Sequence, residues 1–277
     1  MCNLACLAMT NFRKHLVLWL LVLAATQAAA QQENSGNNGR TATEPERSLT
    51  VGIGSTAILD TYMSQEEYTG TELRIISHSD RRLKRHTAWH RSFTHSGQFA
   101  FASPRADNAD YLYGLYTIDY ALRHEWRLSE RWAIEAGGQV EGGVGFAYST
   151  RNSNNPAQAR IYLNIGPTAM ATYRFPLFRR QMQLHYEVAA PLAGILFSPN
   201  YGQSYYEIFS RGDYDHNIVP TTPFCAPTLR HSLTLDIPFR RQALRIGYLG
   251  DCQQACVNSL KYHTYSHLFI IGYVKNL

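Results

Sequence analysis

The chain has 277 residues, 45% of them hydrophobic and 17% charged, with a formal net charge of +5. Beyond residue 30 no segment approaches the roughly eighteen consecutive apolar residues of a membrane-spanning helix, which excludes a helical membrane bundle. The 26 Lys and Arg against 21 Asp and Glu are too balanced to point to a nucleic-acid partner.

Residues 1–30 read as a secretory signal peptide. Arg13, Lys14 and His15 make a basic head, Leu16 to Ala25 is an unbroken apolar run, and Ala28-Ala29-Ala30 precedes the polar Gln31. Ten apolar residues rise only about 15 Å as a helix, too short for a hydrocarbon core of about 30 Å. Cleavage is expected after Ala30, with Met1 or Met9 as the start. The mature chain then loses Arg13 and Lys14 and keeps a charge of about +3. Residues 31–47 are polar and aperiodic, and read as a disordered tail. Residues 48–277 form the main domain.

From Ser48 on, the chain is a series of segments that alternate with period two. Ser48–Asp60, Thr71–Ser79 and Trp89–Ser103 alternate weakly; in the third, Arg91 and His95 share a parity with Phe93, Phe99 and Phe101. Asp110–Leu128 is the clearest. Leu112, Tyr116, Ile118, Tyr120, Leu122 and Trp126 fall on one face, and Thr117, Asp119, Arg123, Glu125 and Arg127 on the other. Trp132–Ser149 repeats the pattern after only Ser129-Glu130-Arg131, a tight hairpin. Arg160–Phe175, Gln183–Leu196, Ser232–Ile237, Leu244–Tyr248 and Leu260–Val274 complete ten candidate strands. Connections 80–88, 129–131, 176–180 and 238–241 lie on one rim; 61–70, 104–109, 151–158, 198–224 and 251–259 lie on the other and are mostly longer. Short turns on one rim and long loops on the other mark an antiparallel up-and-down transmembrane β-barrel of the outer-membrane type, with both termini at the short-turn, periplasmic side.

Trp89, Trp126 and Trp132 all lie beside predicted periplasmic turns, joined by Phe175, Phe178 and Phe239, as an interfacial aromatic girdle requires. A soluble β-sandwich or lipocalin-like barrel shows the same alternation with its faces reversed, but explains neither the loop asymmetry nor the tryptophans. These readings place the protein in the outer membrane of a diderm (Gram-negative) bacterium as a monomer. Its partners are outer-membrane lipid and the barrel-assembly machinery, with no cofactor and no metal site called for.

Three motifs occur in order: Gly52-Ile53-Gly54-Ser55-Thr56 with Leu59-Asp60-Thr61-Tyr62; His231-Ser232-Leu233 with Pro238-Phe239-Arg240-Arg241; and Leu260-Lys261-Tyr262-His263 with Tyr265-Ser266-His267. Over about Thr50 to Tyr273 the chain resembles a family of uncharacterised exported proteins of Bacteroides-type bacteria, a domain of unknown function. The resemblance implies an outer-membrane setting and carries over no activity and no catalytic residue.

Ten strands make a narrow barrel that side chains can fill. Arg123, Arg160 and Arg174 opposite Glu125, Glu135, Glu141 and Glu187 are expected to form a lumenal ion-pair network, with a narrow gated pore as the alternative. Asp213, Asp215 and His216 in the longest loop are the strongest enzymatic candidates. Omptin-type outer-membrane proteases use Asp and His near the mouth to activate water, and the same groups could ligate a divalent cation. A solvated polar loop explains the composition equally, and Arg211-Gly212-Asp213 spells an adhesion tripeptide. His263 and Ser266, three apart on a strand, face opposite sides and cannot pair. Cys2 and Cys6 leave with the leader; no zinc spacing is completed by Cys225, Cys252 and Cys256. The turn at 238–241 would set Cys225 opposite about residue 254, so a disulfide to Cys252 or Cys256 is geometrically accessible. The leading function is a non-enzymatic barrel that binds a ligand through its outer loops or has a structural role; an outer-membrane hydrolase and a narrow pore are the alternatives.

Overall fold

A computed structural model describes residues 46–275 except 85, 87, 107–108, 151–155 and 240–241. The expected signal peptide and nearly all of the expected tail lie outside the described residues. The tail ends earlier than expected, since Glu46 and Arg47 already belong to the first strand.

The strands are β1 (Glu46–Asp60), β2 (Ser64–Arg82), β3 (Trp89–Pro104), β4 (Tyr111–Arg127), β5 (Trp132–Ser149), β6 (Ala157–Leu177), β7 (Arg180–Ala189), β8 (Ala193–Phe197), β9 (Ile218–Thr221), β10 (Leu229–Phe239), β11 (Gln242–Val257) and β12 (Leu260–Lys275). One short helix, α1 (Tyr205–Arg211), lies between β8 and β9. Every pairing is antiparallel. The ring runs β1 to β7, then β10, β11 and β12, and closes where β12 pairs β1 from Arg47↔Lys275 to Asp60↔Tyr262. A closed ring removes the terminal edges that an open sheet would present to lipid, and the short β8–β9 ribbon branches from it. Among the described residues no helix is long and apolar enough to cross a membrane.

The alternation of side chains sorts polarity outward and inward. Ile53, Val144, Ile165 and Phe269 point out and are each 56% exposed, while Glu72, Arg123, Asp236 and Ser266 point in and are buried. That inversion of a soluble protein's pattern is the one a barrel needs in hydrocarbon. At the loop end the lumen is closed by an apolar plug of Ile58, Met63, Tyr68, Tyr111, Tyr113 and Leu115, with small alanines between them. A smaller cluster of Leu249, Leu268 and Ile270 sits elsewhere on the inner wall. Strands approach closely at Gly54, where an added Cβ would lie 1.9 Å from the carbonyl oxygen of His267.

Two expectations need correction. The seventh predicted strand, 183–196, breaks in two around Pro191, which has no N–H to continue the ladder. β7 ends at Ala189, and β8 resumes on the same neighbour, β6, and carries β9 on its far side. The sheet thus has twelve strands, ten of them in the ring. Secondly, β2 begins at Ser64 and β11 continues to Val257, so the loops expected over 61–70 and 251–259 shrink to tight turns. Length on that rim is concentrated instead in residues 190–228. In line with its parity, β3 turns His95 outward with Phe93; the His95 ring nitrogen meets the Tyr116 hydroxyl at 2.7 Å, which satisfies the polar group on an apolar face.

Candidate functional site

The mouth of the barrel is covered by the segment between β8 and β10. Ser204 caps α1 through its hydroxyl, and the Glu207 carboxylate returns a bond to the Ser204 N–H at 2.7 Å, completing a capping box. Gly212, at φ +76°, ends the helix in the left-handed region that glycine adopts without strain. Ile208 is buried beneath the helix.

Polar bonds pin this cap to the wall. The Tyr62 hydroxyl donates to the Gln203 carbonyl (3.0 Å), the Tyr205 hydroxyl to Gln158 (2.8 Å), and the Ala159 N–H to the Tyr205 oxygen (2.7 Å). Asn258, in the β11–β12 turn, donates to the carbonyls of Ser198 and His216. Burial pushes the Tyr62 hydroxyl up to about 12 and also raises Tyr205, so both remain protonated donors at neutral pH. Under the cap is a cavity of about 50 Å³ edged by Glu141, Tyr162, Asn164, Gln253 and Tyr262. It can hold a few waters but is far below the several hundred Å³ that a small-molecule substrate occupies.

Asp213, Asp215 and His216 do not enter that cavity. Asp215 Oδ1 and His216 Nδ1 contact each other at 2.5 Å, with side chains 76% and 80% exposed. The Asp213 carbonyl accepts a bond from Gln203, an intra-loop tie. An exposed pair lacks the enclosure that strengthens general-base catalysis, and the geometry favours the solvated-loop reading over the hydrolase.

The lumenal charges do form ion pairs; Arg123 meets two of the glutamates expected for it, and the other pairings differ. Arg123, 1% exposed, contacts Glu187 (2.7 Å), Glu135 (3.2 Å) and Asp80 (3.4 Å). Glu125 pairs with Arg82, Arg127 and His90 rather than Arg123. Glu141 pairs with Arg230, which also holds Asp119 at 2.9 Å, and the Tyr162 hydroxyl donates to Glu141 at 2.7 Å. Arg160 pairs with Asp60 and lies under the Tyr262 ring. Arg174 joins no ion pair among the described residues; it sits near the turn end of β6, opposite Gln183. Two clusters went unforeseen. Arg74 binds Glu72 and Asp251, with Gln98 and Ser266 donating to Glu72. Arg245 binds Asp236 and Glu46, with His185 beside Asp236.

The tryptophans Trp89, Trp126 and Trp132 are all substantially exposed on the outer face near the 83–88 and 128–131 turns. Trp132 packs on Tyr173, which stacks on Phe175. Phe178 and Phe239 are exposed at the same rim. The expected disulfide is not formed: Cys225, Cys252 and Cys256 are free thiols. Cys225 lies beside Cys256, whose N–H donates to its carbonyl at 2.7 Å, but its sulfur turns back into its own bend and accepts from the Thr222 N–H at 3.3 Å.

Among solved structures, the chain is similar to the transport unit of the autotransporter AIDA-I from Escherichia coli (8% identity, 92% of this chain and 97% of that one, TM-score 0.47). It is also similar to the outer membrane protease OmpT from Escherichia coli (6% identity, 87% and 99%, TM-score 0.48). A third is the translocator domain of the autotransporter NalP from Neisseria meningitidis (10% identity, 93% and 96%, TM-score 0.39). Comparison with curated protein sequences finds no match. Over residues 15–277 the chain fits one family model, and it belongs to the family described as Protein of unknown function (DUF3316).

Proposed function

We propose that this protein is an outer-membrane barrel of a diderm bacterium, exported through a leader cleaved near Ala30, that binds a macromolecular partner through its capped extracellular end and does not catalyse. It would be inserted by the barrel-assembly machinery and stand as a monomer in outer-membrane lipid. The observation that carries this reading is the contrast between the two sides of the cap. Below it, the lumen is filled by the tyrosine-rich plug and buried ion pairs. Above it, Tyr201, Tyr206, Phe209, Tyr214 and Phe224 are 63–100% exposed, and Arg211 lies over the Tyr206 ring at 5.6 Å. Exposed aromatics with arginine are the composition of recognition surfaces.

The test places a photoreactive benzoylphenylalanine at Phe209, Phe224 or, as a control on the opposite rim, Phe178, and irradiates intact cells. Adducts of higher mass at the two cap positions and none at Phe178 support the reading. No adduct from either cap position, or voltage-dependent channel events from the purified barrel in planar bilayers, would overturn it.

A further inference from the structure

The turn end of the lumen carries a group of side chains that the binding reading above does not use. Asp80 on β2, His90 on β3 and Glu135 on β5 converge there, and each offers a ligand atom within 4.8 Å of the other two. We propose that these three residues bind a first-row divalent metal ion, zinc foremost, which braces three strands across the lumen.

Charge is the first argument. Glu125 and Glu135 are direct partners across β4 and β5, and both turn inward. Like charges directly opposite destabilise a sheet unless a cation lies between them. The barrel meets this need at another such pair, Asp119↔Glu141, by setting Arg230 against both carboxylates. Among the described residues no side chain contacts both Glu125 and Glu135 in this way. Glu125 is taken by Arg82 (3.0 Å), Arg127 (2.9 Å) and His90 (3.2 Å). Glu135 meets only Arg123 Nε, and Arg123 also serves Asp80 and Glu187. Four carboxylates therefore share the guanidiniums of Arg82, Arg123 and Arg127 and the imidazole of His90, and Arg127 is 60% exposed and largely solvated. With His90 neutral, as a metal-bound imidazole is, three cations face four carboxylates.

The second argument is an orphaned atom. The Glu135 side chain is 9% exposed, and its Oε2, although 3.2 Å from Arg123 Nε, has no hydrogen-bond partner; neither has Arg123 Nε. A buried carboxylate oxygen without a hydrogen bond is costly, and a metal ion would satisfy it. One imidazole and two carboxylates form a set of the kind zinc accepts. At metal–ligand distances of about 2.0–2.2 Å, tetrahedral ligand atoms stand about 3.4 Å apart. Asp80 Oδ1 and His90 Nδ1, now 2.7 Å apart, would separate slightly, and no pair would need to close by more than about 1.4 Å, within reach of side-chain torsions. Glu125, on the other side of the imidazole at His90 Nε2, would accept the remaining ring N–H and orient the ligand.

The experiment uses the refolded mature barrel in detergent, stripped with chelator, and zinc alone as the probe. Bound zinc is counted by elemental mass spectrometry after gel filtration, and cobalt is substituted to read its visible ligand-field bands. The expectation is one ion per chain, with at least a tenfold weaker affinity in Glu135→Gln and in His90→Ala. The outward-facing His263→Ala serves as a control that leaves binding unchanged. Glu135→Gln is isosteric, so heat-modifiable gel mobility will show that it still folds even where His90→Ala does not. Sub-stoichiometric zinc in the wild type, or equal binding by folded Glu135→Gln, would overturn the proposal. Neither result bears on the cap, which lies at the opposite end.

Discussion

Arg230 is the side chain whose removal tests the lumenal electrostatics most directly. It is the cation set against Asp119 and Glu141, two carboxylates opposed across β4 and β5 and buried to 9% and 6% side-chain exposure. In Arg230→Met the aliphatic stem is kept and the charge is lost. The two carboxylates cannot both stay ionised, so one must take up a proton. At pH 7, protonating a carboxylate of ordinary pKa near 4.3 costs about 3–4 kcal/mol, at 1.36 kcal/mol per pH unit. Measured costs of breaking a buried pair, about 3–5 kcal/mol, agree. Urea unfolding in detergent, followed by tryptophan fluorescence, will measure the loss. The sign with pH is fixed: the penalty is full at neutral pH and shrinks as pH falls toward 4, because the proton is then supplied freely. Adding Glu141→Gln should restore most of the stability at neutral pH. A loss below about 1 kcal/mol at pH 7, an equal loss at pH 4, or no rescue by Glu141→Gln would refute the reasoning.

The remaining predictions concern the membrane face, the wall and the cap. In lipid vesicles, Val140→Arg should cost about 2–4 kcal/mol, while Trp132→Arg at the turn rim should cost about 0–1 kcal/mol; equal costs in urea titrations would argue against a membrane belt. Gly54→Ala should destabilise the barrel by about 1–3 kcal/mol or more, since its Cβ would strike the His267 carbonyl, and a wild-type unfolding midpoint would contradict the close approach of β1 and β12. Glu207 is held below its ordinary pKa by the backbone N–H and hydroxyl of Ser204. Its capping contribution is therefore present above the ordinary glutamate range and lost as pH falls through the lowered value. Amide exchange over residues 204–212 should accelerate in acid beyond its intrinsic pH dependence in the wild type but not in Glu207→Gln.

How far the sequence is legible follows from where each segment sits. β4 and β5 were readable because both faces are specialised, Tyr116 to Trp126 for lipid and Asp119 to Glu125 for the lumen. The start of β2, Ser64-Gln65-Glu66-Glu67, and the end of β11 carry no apolar parity, so they read as loops although both are strand, β2 meeting β1 there through Ser64↔Asp60 across a bulge. That pattern fits wall that extends past the hydrocarbon layer, where the outer face meets water and alternation loses its cause. The same limit hid partners. Asp80 falls in an expected turn, Asp251 in an expected loop, and Arg230 two residues before the expected strand, although all three lie on paired strands. Arg123, Glu135 and Glu187 were identified together because all three lie on well-patterned strands. The break at Pro191 was visible as a residue, yet the ribbon of β8 and β9 was not, because four residues of β9 make no periodic signal.

Closure of the ring by Arg47↔Lys275 sets a constraint on assembly. The two strands that must meet are about 230 residues apart, and bringing such ends together carries an entropic cost of about 5 kcal/mol from chain length alone. The neighbouring hairpins can form locally, but this seam is completed only when the last strand is in place. Until then β1 and β12 each present fourteen or more residues of bare edge, the kind of surface that templates aggregation. A chain truncated anywhere in β12 would therefore be expected to lose the whole barrel rather than its final strand, because no partial ring offers lipid a wall without edges.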